Sequence, residues 1–235
     1  MSNIIDFHTH VLPGIDDGSS SLQESIAMLR VEAEQGIHHV VATPHFYAQH
    51  DKIKDFLQKR RVAKEKLQEE MAKYDNMPVL GLGAEVYFFR GISESDVLKD
   101  LTIDGKNYIL IEMPHVIWND SMYRDLEAIY TKQGLTPVIA HIDRYLGRFR
   151  TYGIPERLAE LPVLVQANAS FFCNRSTAGL AMRMLQKEQI HLLGSDCHSM
   201  GSRCPNLGMA VEIIQNRLGQ SAMDHIVELQ KMVMN

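Results

Sequence analysis

The sequence predicts an α/β chain folded as a distorted (β/α)7 barrel, and three observations lead there. Short apolar runs alternate with helical patterns along the chain, which is the signature of a parallel sheet. Seven such runs can be counted. Six of the seven run into His, Asp or Glu. In β/α barrels the carboxyl ends of the strands carry the site, whereas an open doubly wound sheet gathers it at one switch point.

The first run, Ile4 to Phe7, leads into His8 and His10, which share a face if the strand continues. Residues 8–20 carry turn chemistry in Pro13-Gly14 and Asp16-Asp17-Gly18. Ser21-Leu-Gln-Glu24 reads as a capping box opening a helix to about Gln35, with Gly36 as its stop. The second strand, His39 to Thr43, is followed by Pro44-His45, and Lys52 to Tyr74 is a long charged helix. Val79 to Leu82 leads to Glu85, Asp96 to Thr102 is an irregular or short helical insert, and Tyr108 to Ile111 ends at Glu112. A helix from Ser121 to Gln133 is stopped by Gly134. Pro137 to Ala140 ends at His141, and Val163 to Ala167 ends at Asn168. After a helix over Thr177 to Glu188, His191 to Gly194 leads to Asp196 and His198. Helices over Leu207 to Leu218 and Ala222 to Val233 complete the chain.

With 235 residues and 45% hydrophobic composition, residues 1–235 are expected to form a single domain with a full core. A net charge of −5 argues against a nucleic-acid partner. No apolar run approaches 18 residues, so no membrane insertion is expected. No basic region precedes an apolar one at the start, so no signal peptide is expected. Three cysteines, Cys173, Cys197 and Cys204, form no framework and suggest reduced thiols in the cytoplasm. No repeat, low-complexity segment or linker interrupts the chain.

The candidate ligands are His8, His10, His45, His141 and His198 with Asp17, Glu85, Glu112 and Asp196. Nine are too many for one ion and comfortable for three. Imidazole with carboxylate, without paired thiolates, suits manganese, iron or zinc at a hydrolytic centre. Three divalent ions against four carboxylates leave about +2, room for a phosphate dianion and a hydroxide. A lone strand-end histidine is more often a hydrogen-bonded structural residue, and Glu85 or Glu112 alone could cap a helix or pair with a cation. Asp16 competes with Asp17 for the ligand role. The joint pattern carries the argument. His38, His39, His50, His115, His191 and His225 lack the placement, although His115 lies just past Glu112.

Asp6-Phe-His-Thr-His10, Asp16-Asp-Gly18, Ala42-Thr-Pro-His45, Gly83-Ala-Glu85, Leu110-Ile-Glu112, Ile139-Ala-His-Ile-Asp-Arg144 and Ser195-Asp-Cys-His198 together resemble the polymerase and histidinol phosphatase (PHP) superfamily. Within it the chain is similar to the bacterial metal-dependent protein-tyrosine phosphatases of capsule and exopolysaccharide loci. The resemblance runs from Asp6 to about Arg203. It implies a distorted seven-stranded barrel and three metal ions, often manganese. His8, His10, Glu85 and Asp196 would hold one ion, and Glu85 would bridge to a second held by Glu112 and His141. Asp17, His45 and His198 would hold the third, and Arg144 and Arg203 would grip phosphate as the catalytic arginines. A metal-activated water would attack phosphorus in line. The implied partner is a phosphotyrosyl protein, a tyrosine kinase that regulates polysaccharide synthesis. The loops Phe46-Tyr-Ala-Gln-His50 and Phe88-Phe89-Arg90 depart from the pattern and are expected to shape access.

Three rivals follow from the same residues. A small-molecule phosphomonoesterase of histidinol-phosphate type would use the same ligands. A metal-dependent amidohydrolase would need a strand-end lysine to bridge two metals, and none is found. Cys197-His-Ser-Met-Gly-Ser-Arg203 spells the Cys-x5-Arg of thiol-based phosphatases, but Asp196 and His198 flank the thiol and Cys204 follows Arg203 where Ser or Thr is usual.

Overall fold

The computed structural model describes residues 4–146 and 153–235. Its strands are β1 (Ile5–Thr9), β2 (His39–Ala42), β3 (His45–Phe46), β4 (Val79–Leu82), β5 (Glu85–Tyr87), β6 (Tyr108–Glu112), β7 (Thr136–Ile139), β8 (Leu164–Asn168) and β9 (Leu192–Gly194). They pair in parallel throughout, in the orders β4–β2–β1 and β3–β5–β6–β7–β8–β9. Backbone bonds just beyond β9 close the circuit onto β1. Asp196 N donates to His8 O at 2.7 Å, and His10 N donates to Cys197 O at 2.9 Å. Because β2 runs on into β3 and β4 into β5, the nine segments occupy seven barrel positions, as the sequence predicts.

The distortion has local causes. Pro44 has no N–H to give the ladder and breaks the second position; Gly83-Ala84 breaks the third. The two broken positions still bind each other, through Gly83 N to Ala42 O at 2.8 Å and Glu85 N to Pro44 O at 3.0 Å. Arg60 fixes the second break by donating to Gly83 O at 2.7 Å and Asp100 O at 2.8 Å. β4 pairs with β2 on one side only; on the other, Asp104 Oδ1 accepts from Leu82 N at 2.7 Å. Asp104 belongs to an insert of three short 3-10 turns running from Ile92 to Gly105, wider than the expected Asp96 to Thr102.

The helices are α1 (Leu22–Glu34), α2 (Ile53–Met71), α3 (Asp120–Gln133), α4 (Ile154–Ala159), α5 (Ala169–Cys173), α6 (Ala178–Gln186), α7 (Leu207–Leu218) and α8 (Gln220–Met234). Ser21 caps α1 by accepting from Glu24 N at 3.2 Å. Glu24 turns back to Ser20 N at 2.9 Å rather than to Ser21, so the capping box closes one residue early. α2 is shorter than the charged run suggests, and the short helices α4 and α5 are additions to the sequence reading. No helix among the described residues is long and apolar enough to cross a membrane.

Ile5, Phe7, Val41, Leu110, Val138, Ala140 and Leu192 form the inner apolar cluster, closed by Ile103 of the insert and Val233 of α8. Gln230 of α8 holds the start of β1, accepting from Ile5 N at 3.0 Å. The larger cluster lies between sheet and helices. Register between β1 and β2 shifts between Asp6 and Thr9. That irregularity lets two consecutive residues work inward, Phe7 in the inner cluster and His8 against Gln166 of β8. Gly194 allows the approach of β9, since a Cβ there would lie 2.6 Å from His8 Cβ.

Candidate metal centre

All nine predicted ligands converge at the carboxyl ends of the strands. The deepest group is His8, His10, Glu85 and Asp196, each almost fully buried. His8 Nε2 lies 3.1 Å from Glu85 Oε2, 3.2 Å from His10 Nε2 and 3.5 Å from Asp196 Oδ1. His10 Nε2 lies 3.3 Å from Glu85 Oε2 and 3.5 Å from Asp196 Oδ1. Ligands placed about 2.1 Å from a common ion stand about 3.0–3.4 Å apart in octahedral or tetrahedral geometry. The observed edges match that range closely.

Protons tell the same story. His8 Nδ1 lies 3.2 Å from Gln166 Oε1, which can only accept, so the neutral ring carries its proton there. Nδ1 of His10 bonds Asp16 Oδ2 at 2.8 Å, which places that ring's proton likewise. With the rings neutral, both Nε2 lone pairs face each other, an arrangement that a metal ion or a proton between them stabilises. The pull toward positive charge is strong there: burial opposes charge on His10, but its interactions with Asp16 and Glu85 outweigh that and lift it to about 10. Asp16 is the carboxylate that orients His10, so the two adjacent aspartates take different places: Asp17 Oδ1 faces His45 Nε2 at 3.3 Å and His198 Nε2 at 3.6 Å.

Two further groups share residues with the first. His141 Nε2 lies 2.8 Å from Glu85 Oε1 and 3.6 Å from Glu112 Oε1. Burial holds His141 down to about 4, the neutral form a metal ligand needs. Burial, then the Glu85 charge, lifts Glu112 to about 7. His45 stands between groups, Nδ1 3.0 Å from Glu85 Oε2 and Nε2 toward Asp17. His10, Asp17, His45 and His198 form the outermost group, open to solvent through Asp17, whose side chain is 68% exposed. His198 gives its Nδ1 to Asp196 O at 3.0 Å, leaving Nε2 free to face Asp17. Among the described residues, none makes a well-aligned hydrogen bond to the buried Glu85 Oε2, His45 Nδ1 or His198 Nε2, close as the neighbouring nitrogens and carboxylates stand. Such orphans are costly in a dry interior. Their convergence makes the residues fit divalent cations, which these groups could hold.

His141 and Asp196 adopt left-handed backbone, φ 33° and 54°, which is strained for residues with a Cβ. Bonds on both sides hold them. His141 N donates to Gln166 Oε1 at 2.6 Å, and Asn168 Nδ2 donates to Asp196 Oδ2 at 2.9 Å. Gln166 Nε2 in turn donates to Asn168 Oδ1 at 3.1 Å. β8, the strand that ends without a ligand, therefore orients His8, His141 and Asp196. The signal for Gln166 was an amide inside the apolar run Val163 to Ala167. On β1, Asp6 accepts from His8 N and Ser195 N, both at 3.0 Å, and fixes β1 against the end of β9.

Arg144 and Arg203 reach the same mouth, each bonded to Asp196. Cys197 points elsewhere. It is fully buried, its Sγ 4.0 Å from Glu32 Oε1 on α1, and burial and the Glu32 charge push its thiol well up. Of the other histidines, His191 Nδ1 accepts from Val165 N at 3.1 Å and His39 pairs with Asp104. His115 is at the rim, its ring 5.5 Å from that of Tyr145.

A parallel barrel with buried imidazoles and carboxylates at its carboxyl ends defines a β/α barrel with a candidate metal centre. The family model for capsular polysaccharide synthesis proteins, CpsB/CapC, matches residues 4–233, and the chain belongs to that family. The tyrosine-protein phosphatase CpsB of Streptococcus pneumoniae is 30% identical over 92% of this chain and 91% of its own. A crystal structure from work on YwqE of Bacillus subtilis and CpsB of S. pneumoniae, described as metal-dependent tyrosine phosphatases, superposes with TM-score 0.85. It covers 98% of this chain and 94% of its own at 22% identity. The histidinol phosphate phosphatase of Lactococcus lactis, solved with zinc, L-histidinol and phosphate, shares the fold at TM-score 0.57 and 13% identity, over 91% of this chain and 93% of its own. The family resemblance and barrel read from the sequence are thus borne out.

Proposed function

We propose that this chain is a metal-dependent phosphatase that hydrolyses phosphotyrosine in protein. The observation that carries the reading is the meeting of five imidazoles and four carboxylates in one mouth with Arg144 and Arg203. In the proposed assignment His8, His10, Glu85 and Asp196 hold one divalent ion. Glu85, Glu112 and His141 hold a second, and Asp17, His45 and His198 the third, manganese being the expected metal. Bound there, the ions supply Lewis acidity and an activated water. Asp16, Gln166 and the Asp196 carbonyl keep the ring protons of His10, His8 and His198 on the sides away from the ions. Arg144 and Arg203 bind the phosphoryl oxygens as charge builds on them, which requires each to leave Asp196 in part. A phenolate leaving group, with pKa about 10, departs with less proton assistance than an alkoxide.

The proposed partner is a bacterial tyrosine kinase that regulates capsular or exopolysaccharide synthesis, met in the cytoplasm. The whole chain, residues 1–235, acts as one unit in this reading. Purified protein, supplied in turn with manganese, zinc and iron, is assayed on phosphotyrosyl peptide and histidinol phosphate. Faster turnover of the peptide, abolished by chelator, is expected; preference for histidinol phosphate would replace this reading with the small-molecule one.

A further inference from the structure

We infer that Tyr47 and Tyr87 form the seat for the aryl ring of the substrate, an inference that rests on the phosphotyrosine reading above and gives it a structural basis. The observation is one of register. His45 of β3 lies opposite Glu85 of β5, and Phe46 opposite Val86. The next pair outward is therefore Tyr47 beside Tyr87, whose ring centroids stand 5.7 Å apart. Each tyrosine comes two residues after a candidate ligand, and strand periodicity puts it on that ligand's face. Two residues of strand rise about 6.6 Å, so the tyrosines form the storey directly above the His45–Glu85 layer. The contacts agree. Tyr47's ring lies 5.5 Å from that of His45, and Tyr87 pairs in register with Glu112 of β6. Both tyrosines are half-buried.

An aryl phosphate carries its ring one bridging oxygen from phosphorus. A phosphoryl group held at the ligand layer therefore delivers the ring to the tyrosine storey, where offset or edge contacts are available. An alkyl phosphate delivers only a narrow, flexible chain and gains nothing from the pair. The tyrosines thus act as specificity-determining residues, separate from the groups that hold metal or phosphate.

The test compares two phosphonates on manganese-loaded protein with its metal counted. Benzylphosphonate has the spacing of phosphotyrosine, and methylphosphonate lacks the ring. Titration calorimetry should show that the Tyr47→Ala/Tyr87→Ala double variant loses about tenfold in benzylphosphonate affinity while binding methylphosphonate as before. The Tyr47→Phe/Tyr87→Phe variant, which keeps the rings, should match wild type. If the alanine pair fails to retain metal, the single Tyr47→Leu and Tyr87→Leu variants are read by the same ratio. Equal weakening toward both ligands, or no weakening, overturns the seat. Wild-type protein that leaves phosphotyrosyl peptide intact overturns the phosphatase reading itself. Wild-type protein that hydrolyses the peptide, alongside variants that keep the benzyl preference, removes the seat alone.

Discussion

Arg144 and Arg203 meet on one carboxylate. Arg144, in the turn after β7, bonds Asp196 Oδ2, and Arg203, beyond β9, bonds Oδ1 at 2.8 Å. Both arginine side chains are about one-third exposed, while Asp196 is buried. Two cations thus stand at the edge of the candidate metal centre, on a group that the proposed ion would share. A phosphate dianion arriving there offers each arginine a better-exposed anion of higher charge.

Replacing either arginine should therefore damage turnover more than metal binding. Arg144→Ala and Arg203→Ala are each expected to lower kcat about a hundredfold or more, the typical cost of one lost transition-state contact. Metal content should stay near that of wild type. Lysine should restore little, because it lacks the planar fork that meets two oxygens. Steady-state kinetics beside elemental analysis decide this; full activity in both alanine variants would remove phosphate binding from their role.

Glu85 belongs to more than one group. Its Oε2 faces His8, His10 and His45, and its Oε1 faces His141. Glu85→Gln keeps the shape and removes the charge, so bound metal should fall by more than one ion per chain. Asp17→Asn, on the exposed side, should affect one ion at most. Mass spectrometry of the intact metallated protein would separate the two. Equal loss from both variants would argue against a shared carboxylate at Glu85.

Gln166 illustrates what the sequence did and did not make legible. The ligands were readable because strand ends in a parallel barrel all face one mouth, so His, Asp and Glu after six strands imply one site. Gln166 was not, because nothing in a single sequence distinguishes an inward amide from an outward one until the neighbouring strands are in place. The breaks at Pro44 and Gly83 were visible as turn residues, but the pairing that continues past them depends on the partner strand. α4 and α5 are too short for their periodicity to stand out. Asp16 and Asp17 remained ambiguous because adjacent residues differ only in direction, which is a tertiary fact. With the network known, Gln166→Leu should cut metal affinity about 10- to 100-fold by freeing His8 and the His141 backbone. Unchanged affinity in a chelator competition would show that the amide has no orienting role.

Glu32 supplies a pH prediction. It is fully buried on α1 beside Asp6 and Cys197, and burial, then the Asp6 charge, holds its carboxyl well above its ordinary value of 4.5. The folded chain thus binds this proton more tightly than the unfolded chain does. Its stabilising contribution is complete below about pH 4.5 and is lost as pH rises through the raised folded value. Glu32→Gln, neutral at every pH, should gain in stability relative to wild type as pH increases. Urea midpoints of both proteins in chelator, at pH 5 and pH 8, give the comparison. A constant difference would mean that Glu32 ionises freely in the folded state.

The last prediction separates metal from thiol chemistry, since both can be spelled from Cys197 to Arg203. A thiol mechanism needs a low-pKa, accessible sulfur in a cradle of backbone amides. Cys197 is fully buried, its thiol is pushed well up, and its sulfur lies against Glu32, a second acidic group that disfavours a thiolate. Asp196 and His198, on either side of it, face the imidazole and carboxylate groups instead. Cys197→Ser should therefore keep most phosphotyrosyl-peptide turnover. Asp196→Ala and His198→Ala should lose nearly all of it together with bound metal. Chelation should silence wild type, and manganese should restore it. Because serine at this buried position could loosen the packing against α1, the variant's metal content and melting temperature are measured beside its rate. A fully metallated, normally folded Cys197→Ser protein without activity would overturn the metal-centred mechanism, because no other property of that side chain reaches the mouth.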